Sequence, residues 1–160
     1  MDDQHNQSGP AKGRLADLLP YQLSVTSNAV SGTISRRYRV RFGLKITEWR
    51  LIAVLGDAGA VTQRDLTQAT LMDKVAVNRA SKVLEERELV KRKPNASDGR
   101  SHLLELTEEG RAVHQEVMPM VERMERDIFS VLSAQEQDQF KGMLNRIFDN
   151  ADAKGPTPRE

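Results

Sequence analysis

One short stretch of the sequence, residues 89–106, has a pattern unlike that of the chain around it. Residues 89–93 and 101–106 each suit a β-strand, and the segment between them is dominated by Pro, Asn, Ser, Asp and Gly, which favour turns. The other regular patterns in the chain have helical spacing. The sequence therefore predicts a mainly α protein that contains one small β-hairpin.

Helical patterns lie on both sides of the hairpin. Apolar residues recur at spacings of four and seven over residues 18–42, and Gly43 then makes a natural stop. We expect Thr47 to cap a second helix. After the hairpin, Thr107 and Ser133 are predicted to cap two further helices, the second through a capping box.

Two shorter helices are predicted directly before the hairpin. Thr62 and Asp65 have the spacing of a capping box, and Asp73 can cap the next helix, which ends near Arg87. A short helix, a turn, a second helix and a basic hairpin form the pattern of a winged helix-turn-helix. We call the hairpin, residues 89–106, the wing.

The helix after Asp73 has the two sides expected of a DNA-reading helix. Such a helix fits the major groove, where Arg reads guanine, Asn reads adenine and small apolar side chains meet thymine methyl groups, while Lys more often meets phosphate. An ordinary amphipathic helix with a solvated polar side would show the same spacing. The candidate DNA-contacting residues of this helix are Lys74, Val75, Ala76, Asn78, Arg79 and Lys82.

The wing strengthens the DNA interpretation. Residues 91–93 are three consecutive cations that include Arg92, and alternation places Lys91 and Lys93 on one side. Arg100 lies at the tip, where a thin loop suits a narrow minor groove, and Asp98 is expected to hold that guanidinium by a charge-assisted hydrogen bond. The alternative is a surface turn with an incidental ion pair.

The charge balance and the residue inventory exclude several classes of protein. With 24 basic and 23 acidic residues, any DNA-binding surface must concentrate its cations locally. We find no glycine-rich phosphate loop, no nucleophile motif and no apolar setting for paired carboxylates, so we do not expect an enzyme. There is no cysteine, which excludes disulfides and a thiol switch.

Metal and membrane roles are not expected either. The three histidines, His5, His102 and His114, lie far apart in sequence, so no metal site and no cofactor are predicted. No run of residues is long and apolar enough for a membrane span, and the polar N-terminus lacks the apolar stretch of a signal peptide. A cytoplasmic location is expected.

The sequence resembles the MarR family of bacterial transcriptional regulators over about residues 18–149. In that family, residues similar to 73–74 and 84–90 begin and end the recognition helix, and a junction similar to 106–110 connects the wing to the next helix. Arg92, Pro94 and residues 98–100 resemble the family's wing. Together these motifs are specific for the family, whereas any one of them alone would be a weak indication of it.

The resemblance implies a two-fold dimer that binds a pseudo-palindromic, double-stranded operator and is released from it by a small molecule. Its first, fifth and sixth helices would form the dimer. An apolar stripe along the last helix, which has no partner nearby in sequence, agrees with this. The candidate dimerisation residues are Leu19, Phe140, Met143, Leu144, Ile147 and Phe148.

The same resemblance suggests a division of the chain. Residues 15–46 and 107–149 would form the dimerisation region, and residues 47–106 the DNA-binding lobe. Residues 1–14 and 150–160 have the composition of disordered tails.

One position departs from the family pattern. The family often has Gly after the recognition helix, where this chain has Glu88. A left-handed C-cap without Gly would cost about 1 kcal/mol, so the helix is open to a different ending.

The resemblance also implies a small-molecule effector. The absence of cysteine excludes the peroxide-sensing branch of the family and makes a zinc-sensing role a poor fit. Residues 21–28 are similar to a subset that controls aromatic-acid catabolism, part of which responds to hydroxycinnamoyl-CoA thioesters. A free aromatic acid and such a thioester both remain open.

The family's effector pocket lies between the dimerisation helices and the DNA-binding lobe. There Trp49 could stack on an aromatic group, and the arginines of residues 36–41 could hold CoA phosphates. Trp49 is equally suited to core packing. The arginines of residues 36–41 are equally suited to a solvated surface or to a DNA contact. The candidate effector-binding residues are Ser24, Asn28, Ser31, Arg36, Arg37, Arg39 and Trp49.

A second function remains open, because winged helices also serve as protein–protein interaction modules without operator binding. DNA binding that weakens steeply with salt separates the two functions.

Overall fold

The computed structural model describes residues 13–155 of the protein. The predicted order of one long helix, three shorter helices, a hairpin and two helices is confirmed. The elements are α1 (Leu19–Phe42), α2 (Ile46–Ala58), β1 (Val61–Thr62), α3 (Gln63–Thr70), α4 (Lys74–Glu86), β2 (Val90–Pro94), β3 (His102–Leu106), α5 (Glu108–Phe129) and α6 (Ala134–Asp152).

The chain forms two compact units, the first ending at Val121 and the second beginning at Glu122. The predicted division into a dimerisation region and a DNA-binding lobe follows different boundaries and stays a prediction. Of the predicted N-terminal tail, residues 1–12 lie outside the described part, and residues 14–17 form a turn. The predicted C-terminal tail begins too early, because α6 continues to Asp152.

The core of the first unit lies where α2, α3, α4 and the sheet meet. Leu51 and Ile52 of α2, Leu66 of α3 and Leu84 of α4 are fully buried there, together with Leu104 of β3. Buried residues recur at spacings of three and four, as in Ile52 and Leu55 of α2 and in Val77, Ala80 and Leu84 of α4. Each helix thus has one apolar side, and burying that side drives the packing. Within residues 13–155, no helix is long and apolar enough to cross a membrane.

Side-chain caps fix where most helices begin. The boxes at Thr62 and Ser133 form as predicted, and the Asp73 carboxylate accepts from the Ala76 amide at 2.8 Å. The Thr62 hydroxyl and backbone amide both donate to Asp65, which lowers the pKa of that carboxyl.

The prediction that Thr47 caps α2 is wrong. The helix begins at Ile46 with Lys45 as its N-cap residue. The Glu48 carboxylate accepts from the Lys45 amide at 2.9 Å, and this bond satisfies an amide that would otherwise lack a partner at the helix start.

The hairpin has a third strand that sequence patterns did not predict. β1 pairs antiparallel with β3, so the strand order is β1-β3-β2. In the β2–β3 ladder, Val90 lies opposite Leu106 and Lys91 opposite Glu105. Leu104 and Leu106 are buried, so one face of the hairpin covers the core and the other faces outward.

The junction between α4 and the wing is a Schellman motif in which Glu88 has the left-handed conformation, with φ of 56°. The Leu89 amide donates to the Leu84 carbonyl at 2.9 Å, and the Glu88 amide donates to the Glu85 carbonyl at 3.0 Å. The helix therefore ends as helices with a C-terminal Gly do, although the residue is Glu.

We expect Glu88→Gly to stabilise the protein by about 1 kcal/mol, because glycine adopts this conformation without a Cβ clash. The midpoint of thermal unfolding should rise by about 2–4 °C at a fixed protein concentration. Lys82→Gly, at an exposed position inside α4, is the control and should lower stability by about 1 kcal/mol. An equal loss of stability in both variants would show that the backbone at position 88 is not strained.

Candidate nucleic-acid interface

The solvent-exposed side of α4 is the side that the sequence predicted to contact DNA. Val77, Ala80, Ser81 and Leu84 are buried, and the opposite side is open to solvent. Within residues 13–155, none of its three cations takes part in an ion pair. The exposed predicted DNA-contacting residues are Lys74, Val75, Asn78, Arg79 and Lys82, whereas Ala76 is half-buried.

The start of α3 adjoins this surface, which sequence reasoning missed. The Gln63 amide donates to the Asn78 side-chain oxygen at 3.3 Å. Gln63 and Arg64 line a concavity of about 420 Å³ together with Lys74. A signal existed in the sequence, because Arg64 places a cation in the first turn of a helix, where the helix dipole disfavours it.

The inner face of the wing holds Arg92 in an ion pair. Its Nε donates to both carboxylate oxygens of Glu85, at 2.8 and 3.0 Å. Arg92 lies opposite the buried Leu104, which places it on the inner face, toward α4. Arg92, a predicted DNA contact, therefore already has an acidic partner.

The outer face of the wing carries Lys91 and Lys93, on one side as predicted. Their Nζ atoms lie 3.3 and 2.6 Å from the two oxygens of Glu105. The hydrogen bond from Lys93, and then that from Lys91, lowers the pKa of the Glu105 carboxyl. We call these three residues the outer-face trio.

The wing tip differs from the prediction in one contact. The Asp98 carboxylate accepts from the backbone amide of Arg100 at 3.0 Å, not from its guanidinium, because an Asp side chain easily reaches the amide two residues later. Asn95 braces the loop through the amide of Ser97 and the hydroxyl of Ser101. The Arg100 side chain is exposed on a braced loop.

A cleft of about 480 Å³ lies between the wing and the start of α3. Arg64 of α3, Arg92 of β2 and Arg100 of the wing loop line it, together with Asp65 and Asp98. Such a mixed, open and polar lining suits a phosphate that remains partly hydrated better than it suits an apolar ligand.

The predicted effector residues do not gather into one site. Ser24 and Asn28 are exposed on α1, and Ser31 is half-buried. Arg36 donates to the Thr33 hydroxyl at 3.0 Å. Arg37 and Arg39 are exposed. A concavity of about 310 Å³ between α1 and α2 is lined by Ser35, Arg39, Leu44, Lys45, Ile46 and Thr47.

Trp49 lies in the core. The centroid of its ring lies 5.8 Å from that of Tyr38 and 6.0 Å from that of His114, on which it stacks. Only 7% of the Trp49 surface is exposed. Burial raises the pKa of Tyr38 to about 12. An effector could stack on Trp49 only by displacing a neighbouring ring, so the geometry matches the core-packing alternative.

His114 sits directly against Gly56 of α2. A Cβ at position 56 would overlap the imidazole, so the close approach needs glycine there. The His114 Nε2 atom is buried and has no hydrogen-bond partner among the described residues.

The predicted dimerisation stripe is exposed along α6. No residue of this helix is buried, and Phe140 is half-buried. Leu19 of α1 is 70% exposed. The four remaining members of the stripe, all exposed, are Met143, Leu144, Ile147 and Phe148.

Residues 42–101 match the sequence model of the MarR family. The HTH-type transcriptional regulator YdgJ of Bacillus subtilis is 28% identical over 130 residues, which cover 81% of this chain and 77% of that protein. The HTH-type transcriptional repressor NicR of Pseudomonas putida is 28% identical over 65% of this chain and 66% of its own length.

The fold agrees with these sequence matches. The crystal structure of a MarR/EmrR family transcriptional regulator from Acinetobacter sp. ADP1 superposes with a TM-score of 0.78 at 26% identity, over 84% of this chain and 94% of the other. In its family match, its relatives and its winged-helix fold, the protein is similar to MarR-type transcriptional regulators, which are not enzymes.

Proposed function

We propose that the protein is a homodimeric repressor that binds a pseudo-palindromic operator and leaves it when a small aromatic effector binds. The observation that carries the proposal is the distribution of cations. Among residues 13–155, the helix-turn-helix and wing tip present five cations outside ion pairs: Arg64, Lys74, Arg79, Lys82 and Arg100.

The shape of this surface supports contact with both grooves. α4 has 13 residues, a length of about 20 Å, and presents Asn78 and Arg79 on its exposed side. Such a helix fits the major groove, while Arg100 on its narrow loop suits the minor groove. Because the net charge is only +1, a local surplus of cations is more informative here than in a strongly basic protein.

The dimer is supported by apolar surface that the rest of residues 13–155 leaves exposed. The stripe on α6 combines exposed Met143, Ile147 and Phe148, and a contiguous patch of this kind usually marks an interface. Leu19 and Leu23 add exposed apolar surface to the first turns of α1. A two-fold dimer would place two α4 helices on successive half-sites of the operator.

The effector proposal rests on the exposed arginines of α1. Arg36, Arg37 and Arg39 are solvent-accessible and match the phosphates of a hydroxycinnamoyl-CoA thioester better than the single carboxylate of a free aromatic acid. The burial of Trp49 removes one argument for stacking on the acyl group. Release requires the effector to bind more tightly to a dimer whose α4 helices are wrongly spaced for DNA.

We expect Arg79→Ala to lower operator affinity by roughly ten- to a hundredfold, because it removes an arginine placed to read a base. Arg100→Ala should also weaken binding. The measurement is fluorescence anisotropy with a labelled duplex from upstream of the protein's own gene, over a range of salt concentrations. Operator affinity should fall steeply with salt.

Arg123→Ala is the matched control, since it removes the same charge from an exposed position on α5. If it weakens binding as much as Arg79→Ala, net charge alone would explain the effect. If no duplex binds even at low salt, the protein–protein interaction module becomes the better explanation.

We expect Phe148→Glu to convert the dimer into a monomer, because a charge buried in an apolar interface lacks compensation. Light scattering after size-exclusion chromatography measures the mass, and operator affinity should fall together with dimerisation. Val131→Glu, at a position that is 84% exposed and outside the stripe, should remain dimeric. A dimeric Phe148→Glu protein would place the interface elsewhere.

We expect p-coumaroyl-CoA or feruloyl-CoA to release the labelled operator at concentrations where the free acids do not. Arg36→Ala and Arg39→Ala should each raise the thioester concentration needed for release by about tenfold, as loss of a charged hydrogen bond would. Arg111→Ala, exposed on α5, should leave it unchanged. Release by the free acids alone would favour the aromatic acid, and no release by any compound would refute the effector proposal.

A further inference from the structure

The wing carries three consecutive cations, and each already has a carboxylate partner. Lys91 and Lys93 share Glu105 on the outer face, and Arg92 is held by Glu85 on the inner face. The cations of α4 contrast with them, because none takes part in an ion pair within residues 13–155. Acids therefore pair with the cations on the flanks of the wing but, among the described residues, not with the cations of the helix that would read bases.

Glu105 is well placed to hold both lysines. It lies directly opposite Lys91 in the β2–β3 ladder, and Lys93 follows two residues later on the same face. Oε1 of Glu105 pairs with Nζ of Lys91, and Oε2 pairs with Nζ of Lys93. The Glu105 side chain is 22% exposed, whereas the lysines are 56% and 45% exposed, so the acid lies deeper than the cations that it binds.

A hairpin whose tip enters the minor groove has a phosphate strand beside each face, because that groove is only about 6 Å wide. In that arrangement the outer-face lysines would lie beside one of these strands, whereas Arg92 is turned toward Glu85 of α4. Phosphate contacts from these flanks carry no sequence information, so they raise affinity for every duplex alike.

We infer that Glu105 limits the sequence-independent affinity of the wing for DNA, because it holds Lys91 and Lys93 in the outer-face trio. This inference rests on the proposed operator-binding function. A phosphate must compete with Glu105 for each lysine, and α4 faces no such competition. Glu105 thereby lowers the affinity of the wing for operator and random sequence alike.

The experiment compares Glu105→Gln with the unaltered protein on the upstream duplex and on a scrambled duplex of the same composition. Glutamine keeps the size of the side chain and removes its charge. We expect affinity for the scrambled duplex to rise by roughly two- to fivefold for each lysine released, the strength of an exposed ion pair. The slope of log affinity against log salt should steepen by about 0.9 per new phosphate contact. Operator affinity should rise by a similar factor, because the operator presents the same phosphates.

Glu86→Gln is the matched control, because Glu86 is an exposed acid on α4 outside any ion pair of the described residues. It changes the net charge equally and should leave the salt slope as it was. Adding Lys91→Gln and Lys93→Gln to the Glu105→Gln protein should abolish the gain, which shows that the lysines mediate it.

Three results would overturn the inference. Equal effects of Glu105→Gln and Glu86→Gln would indicate net charge alone. Weaker binding by Glu105→Gln would mean that the carboxylate positions the lysines for DNA. Absence of binding to either duplex by the unaltered protein at low salt would instead refute the operator-binding function, and with it this inference.

Discussion

The arrangement of the first unit depends on one guanidinium at the end of α4. Arg87 donates to the carbonyls of Phe42 and Gly43, at 2.7 and 3.2 Å, which are among the last carbonyls of α1 and its cap and would otherwise lack helical partners. It also lies 3.9 Å from Glu48, whose carboxylate is almost fully buried at the start of α2. A buried acid needs such a partner, because an unpaired charge in the interior is costly.

Three helices are therefore tied together at one point. α1 ends where α4 ends, and α2 begins beside both. Since α4 carries the exposed side that faces DNA in our proposal, its direction relative to α1 is set by these contacts as much as by the apolar core. The core resists separation of the helices but allows them to slide, whereas directed hydrogen bonds select one arrangement.

Features with a local cause could be predicted from sequence. The boxes at Thr62 and Ser133 and the cap at Asp73 each depend on residues three apart, and the exposed side of α4 depends only on helical spacing. β1 escaped prediction because two residues are too few to show alternation. The start of α2 was misplaced because Glu48 reaches back to Lys45, and a backbone amide at a lysine gives no sequence signal.

The parts of the site that could not be predicted depend on contacts between elements. Arg92 pairs with Glu85 because of the position of α4 beside the hairpin. Glu105 pairs with two lysines because of the strand register. Trp49 had equally good interpretations as core and as ligand contact, and only the positions of Tyr38 and His114 on other helices decide between them.

Thr107 gives the wing a pivot. Its hydroxyl donates to the carbonyl of Glu88 at 2.6 Å and its amide to that of Leu89 at 3.1 Å, so both strands are fastened to α4 at the same end. Each main strand has five residues, a length of about 17 Å from pivot to loop. A rotation of about 10° at Thr107 would move the tip by about 3 Å, roughly half the width of a minor groove. A small change of angle where α4 joins the wing would therefore displace Arg100 by a distance that matters for contact with a groove.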